Sequence, residues 1–576
     1  MIPGRPFIAV PLGIGALLVA TLAGAQEKPQ PPSPPAPTDT ARRSRMLSPL
    51  SFPEFIITGN DVLRFENATK EIPAWYDPSA LVGMAGRGSR ISWNTVPSRQ
   101  GTTPTPTNYA VDATTLLARA SYGSYGTPAL ESWFGRTFFK GDMAASARLE
   151  HSDGHVPRSS YDRYAFALSG GSYFPSSAPP FFARSRVSGE GNVRFDGYSC
   201  YGDPPRQDAD ALDFTRDALR LGARGEIHSR RNRIIDYSLR AGIAYTSLKE
   251  TVSVRDSIPL AESSFLERAY SLEGCVRIEL FDLPIDLSSV FAAAHHTETT
   301  LNAQHTFFFS SSASSRYSLA KDFTLQGMLG LYFSRGSIGS TAVRIYPALR
   351  AEYSMTDRLT LSASWRSAVE NLTFRDLLDF NPYVTAGPEI RPRDIHEEFA
   401  LGAAYVDRGS FRVTVTGSFK GMRNVPLFLR NETPGERQWK VRYEGYTAVT
   451  ELRGELLWDI LVAMNIHAAL VFRDSRNTVL EQGVPYLPNG ESSVRCTYLF
   501  PFGLRTWCEG FLLGTRPCPE GALPSVLLVH LGAEYRILRS LGVFLEFRNV
   551  LDKRYEIFRG YRALPFTATA GISYRL

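Results

Sequence analysis

The chain has 576 residues with 63 Lys and Arg against 57 Asp and Glu, a formal net charge of +6 that is modest for the length. No concentrated basic stripe accompanies it, which excludes a nucleic-acid-binding role. Aromatic residues reach 12%, with 26 Tyr and 35 Phe, and mean hydropathy is only −0.16. Beyond Ala25 no run of about 18 residues lacks charge or strong polarity, so helical membrane spans are excluded as well.

In chain order, Arg5 supplies a positive charge, Phe7 to Leu22 form an apolar stretch, and Ala23, Gly24 and Ala25 make a small-residue cleavage site. Residues 1–25 therefore read as a cleaved signal peptide. Residues 26–46 open with the tract Gln26 to Pro37 (QEKPQPPSPPAP), which favours an extended conformation and is expected to be a periplasmic tether. Residues 47–107 hold one short apolar segment, Phe52 to Thr58, then a glycine-rich stretch around Gly83 to Gly88, and are assigned as a vestigial plug or lumen-filling segment.

Residues 108–576 change character. Segments of about ten residues alternate apolar and polar side chains, as a strand needs with lipid on one face and water on the other. In the last segment Phe566, Ala568, Ala570, Ile572, Tyr574 and Leu576 share one face, while Thr567, Thr569, Gly571, Ser573 and Arg575 share the other. Val543, Leu545 and Phe547 oppose Glu546 and Arg548, and Val529, Leu531, Ala533 and Tyr535 oppose His530, Glu534 and Arg536. Leu349, Ala351 and Tyr353, then Leu361, Ala363 and Trp365, repeat the pattern against Arg350, Glu352, Ser362 and Arg366. Short turns at Lys140, Phe281 to Pro284, Ala320 to Asp322, Thr356 to Arg358, Asp407 to Ser410 and Pro501 to Gly503 alternate with longer polar connections. The long ones include Gly197 to Asp213, Glu370 to Asp394, Asn424 to Gln438, Asp474 to Glu491 and Asp552 to Pro565. The expected fold is all-β: a transmembrane antiparallel β-barrel of about 22 strands in the outer membrane, with both termini in the periplasm. A large soluble all-β protein is the alternative, and it leaves the charged residues opposite continuous aliphatic faces unexplained.

Three regions resemble TonB-dependent outer-membrane receptors. One runs through Phe374 to Leu377, Asn381-Pro382-Tyr383, Pro388 to Pro392 and Glu397 to Gly402. The second is Val484-Pro485-Tyr486-Leu487-Pro488, leading into Ser492 to Phe500. The third is Arg548-Asn549-Val550-Leu551-Asp552-Lys553-Arg554-Tyr555, followed by Gly560-Tyr561, Pro565 and the closing strand. The resemblance implies receptor-like uptake of a small solute, siderophore-, cofactor- or oligosaccharide-like, and a TonB-like periplasmic energiser. The chain departs from the family in length, because the family's plug exceeds what the segment before the barrel can hold. Lumen closure is therefore expected from residues 47–107, from inward-folded loops such as Glu370 to Asp394, or from a separate plug protein. Asn549, Asp552 and Pro565 sit where a strand leaves or enters the sheet and are read as architectural.

Side-chain chemistry points to no enzyme: Gly-x-Ser-x-Gly elbows, phosphate loops and paired catalytic carboxylates do not emerge, and no catalytic, cofactor or metal residues are assigned. Two His-acid clusters are weighed as metal sites and set aside as hydrated loop residues: His295, His296 and Glu298, and His151, Asp153 and His155. The five cysteines lack zinc spacing, and Cys200 with Cys518 is the pair weighed for a disulfide. Tyr383, Phe428, Trp439 and Tyr486 are assigned to an interfacial aromatic girdle, with ligand gripping as the alternative. Arg391, Arg393, Arg430 and Arg437 are read as loop cations for an anionic ligand or for lipopolysaccharide phosphates. A passive porin-like channel or a scaffold barrel is the competing function.

Overall fold

The computed structural model describes residues 113–576, apart from 139, 176, 180, 184, 203–211, 230–234, 255–258, 281–282, 299–303, 338–340, 408–409, 431–437, 462 and 481. The leader, the tether and the 47–107 segment expected from the sequence lie outside the described residues. Strands run in chain order as β1 (Ala113–Gly123), β2 (Thr127–Phe138), β3 (Gly141–Ser152), β4 (Tyr161–Tyr173), β5 (Arg186–Ser199), β6 (Leu212–His228), β7 (Ile235–Val254), β8 (Pro259–Leu280) and β9 (Leu283–Glu298). Then follow β10 (Gln304–Ala320), β11 (Phe323–Arg335), β12 (Thr341–Ser354), β13 (Leu359–Glu370), the helix α1 (Phe374–Phe380), β14 (Arg393–Asp407) and β15 (Phe411–Arg423). The remainder are β16 (Leu427–Arg430), β17 (Trp439–Arg442), β18 (Tyr446–Leu461), β19 (Met464–Asn477), β20 (Gly490–Leu499), β21 (Leu504–Leu513), β22 (Val526–Arg536), β23 (Leu541–Arg548), β24 (Glu556–Phe558), β25 (Tyr561–Arg562) and β26 (Thr567–Arg575).

One sheet of 22 strands contains all of these except β16 with β17 and β24 with β25, which form two small hairpins inside connections. Each strand pairs antiparallel with its neighbour, and β1 pairs with β26 from Leu117↔Arg575 to Gly123↔Thr569, so the sheet closes. The strand count and the positions of the six short turns agree with the sequence reading. The turn over 174–185 is long because Pro175 and Pro179 accept bonds from the Ala178 and Ala183 N–H groups, building a folded corner, while β4 and β5 remain paired as far as Tyr173↔Arg186. The connection after β15 extends beyond the expected Gln438 to Gly445, because Trp439 to Arg442 pairs with Leu427 to Arg430 rather than with the barrel. A hairpin hidden within a connection carries the same alternation as a barrel strand, so sequence period alone places its end too early.

Side chains divide as the pattern requires. Leu531, Tyr535, Val543, Leu545 and Ile572 are exposed on the outer face. Inward-facing Glu509, His530 and Glu398 are buried in the wall. The aromatic rings facing the lumen sit over glycine: a Cβ at Gly532 would stand 2.2 Å from the Trp507 ring, and one at Gly571 2.5 Å from Phe544. β6, β7 and β8 are 17, 20 and 22 residues long, whereas β22 and β23 have 11 and 8. A tilted strand crosses a bilayer in about 9–11 residues, so the long strands rise past the hydrocarbon at the end opposite Leu576. Their outer face changes accordingly, from exposed Leu239, Ile243, Tyr270 and Leu272 to an exposed Lys249–Glu262 ion pair of 3.2 Å.

Leu545→Arg, on the lipid face, is expected to destabilise the barrel by about 2–4 kcal/mol, whereas Ser493→Arg, on the lumen face, changes stability by less than about 0.5 kcal/mol. Urea unfolding in lipid vesicles measures both; equal costs for the two would contradict the assignment of faces.

Candidate functional site at the barrel mouth

The long connections do not spread into solvent. They fold across the mouth that the tall strands surround. Thr373 caps α1: its hydroxyl accepts from the Asp376 N–H at 3.3 Å, and the Asp376 carboxylate accepts from the Thr373 N–H at 2.9 Å. The helix start is held further by Glu267 of β8, which accepts from the Phe374 N–H at 2.7 Å, a carboxylate placed where helix N–H groups lack partners. Arg220 of β6 donates to Asp379 at 2.7 Å. Phe374, Leu377, Leu378 and Phe380 are all buried.

Past the helix, the chain is fastened by Arg216 of β6, whose side chain is wholly buried. Its Nη1 donates to the carbonyls of Pro382 and Val384, each at 2.7 Å, and its Nε and Nη2 donate to Glu250 of β7 at 2.8 and 2.6 Å. Gln438 donates to the other oxygen of Glu250 at 2.7 Å. The two loops then pair with each other: the Trp439 N–H donates to the Tyr383 carbonyl at 3.0 Å, and the Thr385 N–H to the Trp439 carbonyl at 2.9 Å. Trp439 in turn donates through its ring nitrogen to the Tyr486 hydroxyl at 3.1 Å, in the connection from β19 to β20. In the closed ring β6 and β19 lie half the circumference apart. This line of bonds therefore spans the mouth from one wall to the loop of the other.

Around that line the aromatic rings pack as a core. Tyr383 lies 3.7 Å from Tyr561 between centroids, Trp439 5.4 Å from Phe558, Tyr486 5.1 Å from Phe558 and Phe380 4.7 Å from Phe428. The loop before β22 joins in through Arg516, whose Nη1 donates to the Glu556 and Ile557 carbonyls at 2.8 and 3.2 Å. Burial raises the Tyr383 and Tyr561 phenols well above their ordinary range, so both remain neutral. Burial likewise lifts the Asp376 carboxyl, against the pull of its bonds from Thr373.

Several expectations from the sequence are corrected here. Tyr383, Phe428, Trp439 and Tyr486 form no interfacial girdle; all four are at most 3% exposed, inside the cap. The girdle reading failed because an aromatic in a loop looks the same whether it faces lipid or a core made by other loops. Arg393 is not a free loop cation either: it is fully buried and donates to Glu370 at 2.6 and 2.9 Å. Arg391 pairs with Glu389 and lies 5.7 Å over the Tyr443 ring. Arg430 ends β16, and Arg437 lies outside the described residues. Cys200 and Cys518 are both buried in the cap, and no disulfide joins them.

His295 and His296 point to opposite sides of β9. His296 is buried 3.5 Å from Glu267, whereas His295 stacks on His305 of β10 across the strand pair, with Nδ1 atoms 3.2 Å apart. Alternation in a strand separates adjacent residues, so the first weighed cluster is not assembled. His151 bonds to Asp162 at 2.8 Å and Asp153 at 3.3 Å, while His155 packs between Tyr125 and Tyr201. Among the described residues no group of three or more His, Cys, Asp or Glu gathers as a metal site. Asn549 and Asp552 are architectural as expected: both have positive φ, 49° and 47°, and Asp552 accepts from the Phe566 N–H at 2.9 Å, just ahead of β26. The bonds of Arg216 and Glu250 to the cap were missed by the sequence reading, and nothing in their alternating context distinguishes them from other inward charges.

A closed, antiparallel, 22-stranded barrel with a loop-filled mouth is the class that the fold and site define. No family model matches the chain, and no curated protein matches its sequence. Solved structures do share its fold. The FrpB iron transporter from Neisseria meningitidis aligns over 81% of this chain and 82% of its own with a TM-score of 0.64 at 10% identity. The siderophore receptor PiuA from Acinetobacter baumannii aligns over 81% and 82%, with a TM-score of 0.62 at 10% identity. The copper transporter OprC aligns over 81% and 80%, with a TM-score of 0.60 at 12% identity.

Replacing Arg216 by Met strands the Glu250 carboxylate and two loop carbonyls, and is expected to cost about 3–5 kcal/mol. Hydrogen exchange over residues 374–391 should speed up before the barrel strands do. Unchanged protection there would show that Arg216 does not hold the cap.

Proposed function

We propose that this protein is an outer-membrane receptor that takes up a scarce small solute through its lumen, its mouth held shut by the loop cap until the solute is engaged. The observation that carries this reading is the bonded line from Arg216 through Tyr383 and Trp439 to Tyr486, which crosses the ring from wall to opposite loop. A barrel of this size without a filling would be a wide hole, and a passive pore gains nothing from a buried aromatic core over its entrance. The shared fold with iron and copper transporters and a siderophore receptor supports a receptor role.

On this reading the end carrying Ala113 and Leu576 faces the periplasm and the cap faces outward. The solute is siderophore-, cofactor- or oligosaccharide-like. Opening is driven from the periplasm by a TonB-like energiser, as the resemblance of Asn549 to Tyr555 and the closing strand implies. Residues 1–25 direct export, residues 26–46 serve as tether, and residues 47–107 add to the filling of the lumen, alone or with a separate plug protein. Loop arginines such as Arg430 contact lipopolysaccharide.

Planar-bilayer recordings test the role. The unmodified protein should show no steady large current, and Tyr383→Ala with Trp439→Ala should open one. A steady wide conductance from the unmodified protein would sink the receptor reading in favour of a passive pore. Silence from the double variant would show that the cap is not what closes the lumen.

A further inference from the structure

The charges on the lumen wall are not distributed evenly. Over β6 to β14 the inward arginines are matched: Arg240 bridges Glu226 and Glu273 at 2.9 and 2.8 Å, Arg277 meets Asp286 at 2.7 Å, Arg316 meets Glu352 at 2.8 Å and Arg366 meets Glu398 at 2.5 Å. Across β20 to β23, β26 and β1 the balance is lost. Arg495 of β20, Arg505 of β21, Arg575 of β26 and Arg119 of β1 face the lumen along neighbouring strands, Arg119 opposite Ser573 and Arg495 opposite Glu509 in register. Glu534 lies directly opposite Arg505 in register yet accepts from the Ser573 hydroxyl at 2.9 Å. Glu546 is already shared by Arg119 at 3.3 Å and Arg548 at 3.2 Å, and Glu509 stands 4.0 Å from Arg495. Arg505 and Arg575 form no ion pair among the described residues.

A second, independent feature concerns how these cations are held. The Arg495 guanidinium lies 4.4 Å over the Trp507 ring, and that of Arg119 4.0 Å over Phe544. Gly532 and Gly571 leave the space those rings occupy. A guanidinium stacked on an aromatic face is fixed in position while the N–H groups at its edge remain available to an acceptor. Arg119 has one carboxylate, Glu546 at 3.3 Å, and Arg495 has one, Glu509 at 4.0 Å, and a guanidinium with five N–H groups keeps edge donors beyond a single such contact. Arginines supported by rings, with two more unpaired beside them, present a preorganised set of donors for anionic oxygen.

We infer that this stretch of wall, near the end of the barrel that carries Leu576, is a binding site for a small anion bearing two or more carboxylate or phosphate groups. The inference deepens the uptake reading by naming the solute class, and it stands on that reading only for its role in transport. Binding itself is measured on the closed, full-length protein in detergent, so a failure of the bilayer recordings leaves this test intact.

The probe is inorganic pyrophosphate, titrated calorimetrically at constant ionic strength. The unmodified protein is expected to bind it, with affinity falling as KCl is raised. Arg505→Gln with Arg575→Gln should weaken binding about tenfold or more, equivalent to about 1.4 kcal/mol. Arg505→Lys with Arg575→Lys keeps the charge and should lose less, which separates a lost site from a lost fold. No binding by the unmodified protein, or equal affinity in the Gln variant, overturns the inference. Carboxylates of the chain's own N-terminal segment are the other candidate occupant. If they fill the site, removing residues 26–107 would create pyrophosphate binding that the full-length protein lacks, and the small-anion reading would be wrong.

Discussion

The structure depends on one constraint: in hydrocarbon, every backbone N–H and C=O must find its partner within the protein. An open sheet has two edges that cannot meet this requirement, and the pairing of β1 with β26 removes both. Seven register pairs, from Leu117↔Arg575 to Gly123↔Thr569, make that seam. With the ring closed, every strand has one lipid face and one lumen face, and the alternation of side chains is a consequence.

Closure around so many strands creates a second difficulty, an opening wide enough to leak. The wall answers it by being uneven in height. The long strands β6 to β8 project beyond the bilayer, and their inward residues Arg216, Glu250 and Glu267 reach loops that would otherwise be solvated. Burying loop backbone costs free energy unless its polar groups are satisfied. Arg216 supplies donors to two carbonyls, and Glu267 accepts from the start of α1. The buried Arg216–Glu250 pair is tolerable because it is doubly bonded and because Gln438 takes the remaining carboxylate oxygen. Aromatic packing then adds apolar burial where the polar groups have already been met.

Opposed to this cap is the wall sector near the other end, where two arginines rest on rings and two others form no ion pair among the described residues. The barrel thus combines a mouth in which charges are spent on holding loops and a lower wall in which they are left available. Cap and sector lie toward opposite ends of the lumen.

The barrel was legible in the sequence because its signal is local. Alternation along Val529 to Tyr535 or Thr567 to Arg575 reports which side each residue faces without knowledge of any neighbour, and short turns such as Thr356 to Arg358 mark where the chain reverses. The loops carry no such period. Tyr383, Trp439 and Tyr486 sit in three connections far apart in the chain, and their burial is set by one another and by β6 and β7. His295 and His296 show the same limit at smaller scale, since their partners His305 and Glu267 come from other strands. The sequence by itself determined the alternating strands, their number and the closed sheet, because hydrocarbon acts on each residue separately. Only the tertiary structure decided that the loops bond to one another across the mouth and which lumen charges find partners, because those depend on contacts made across the ring.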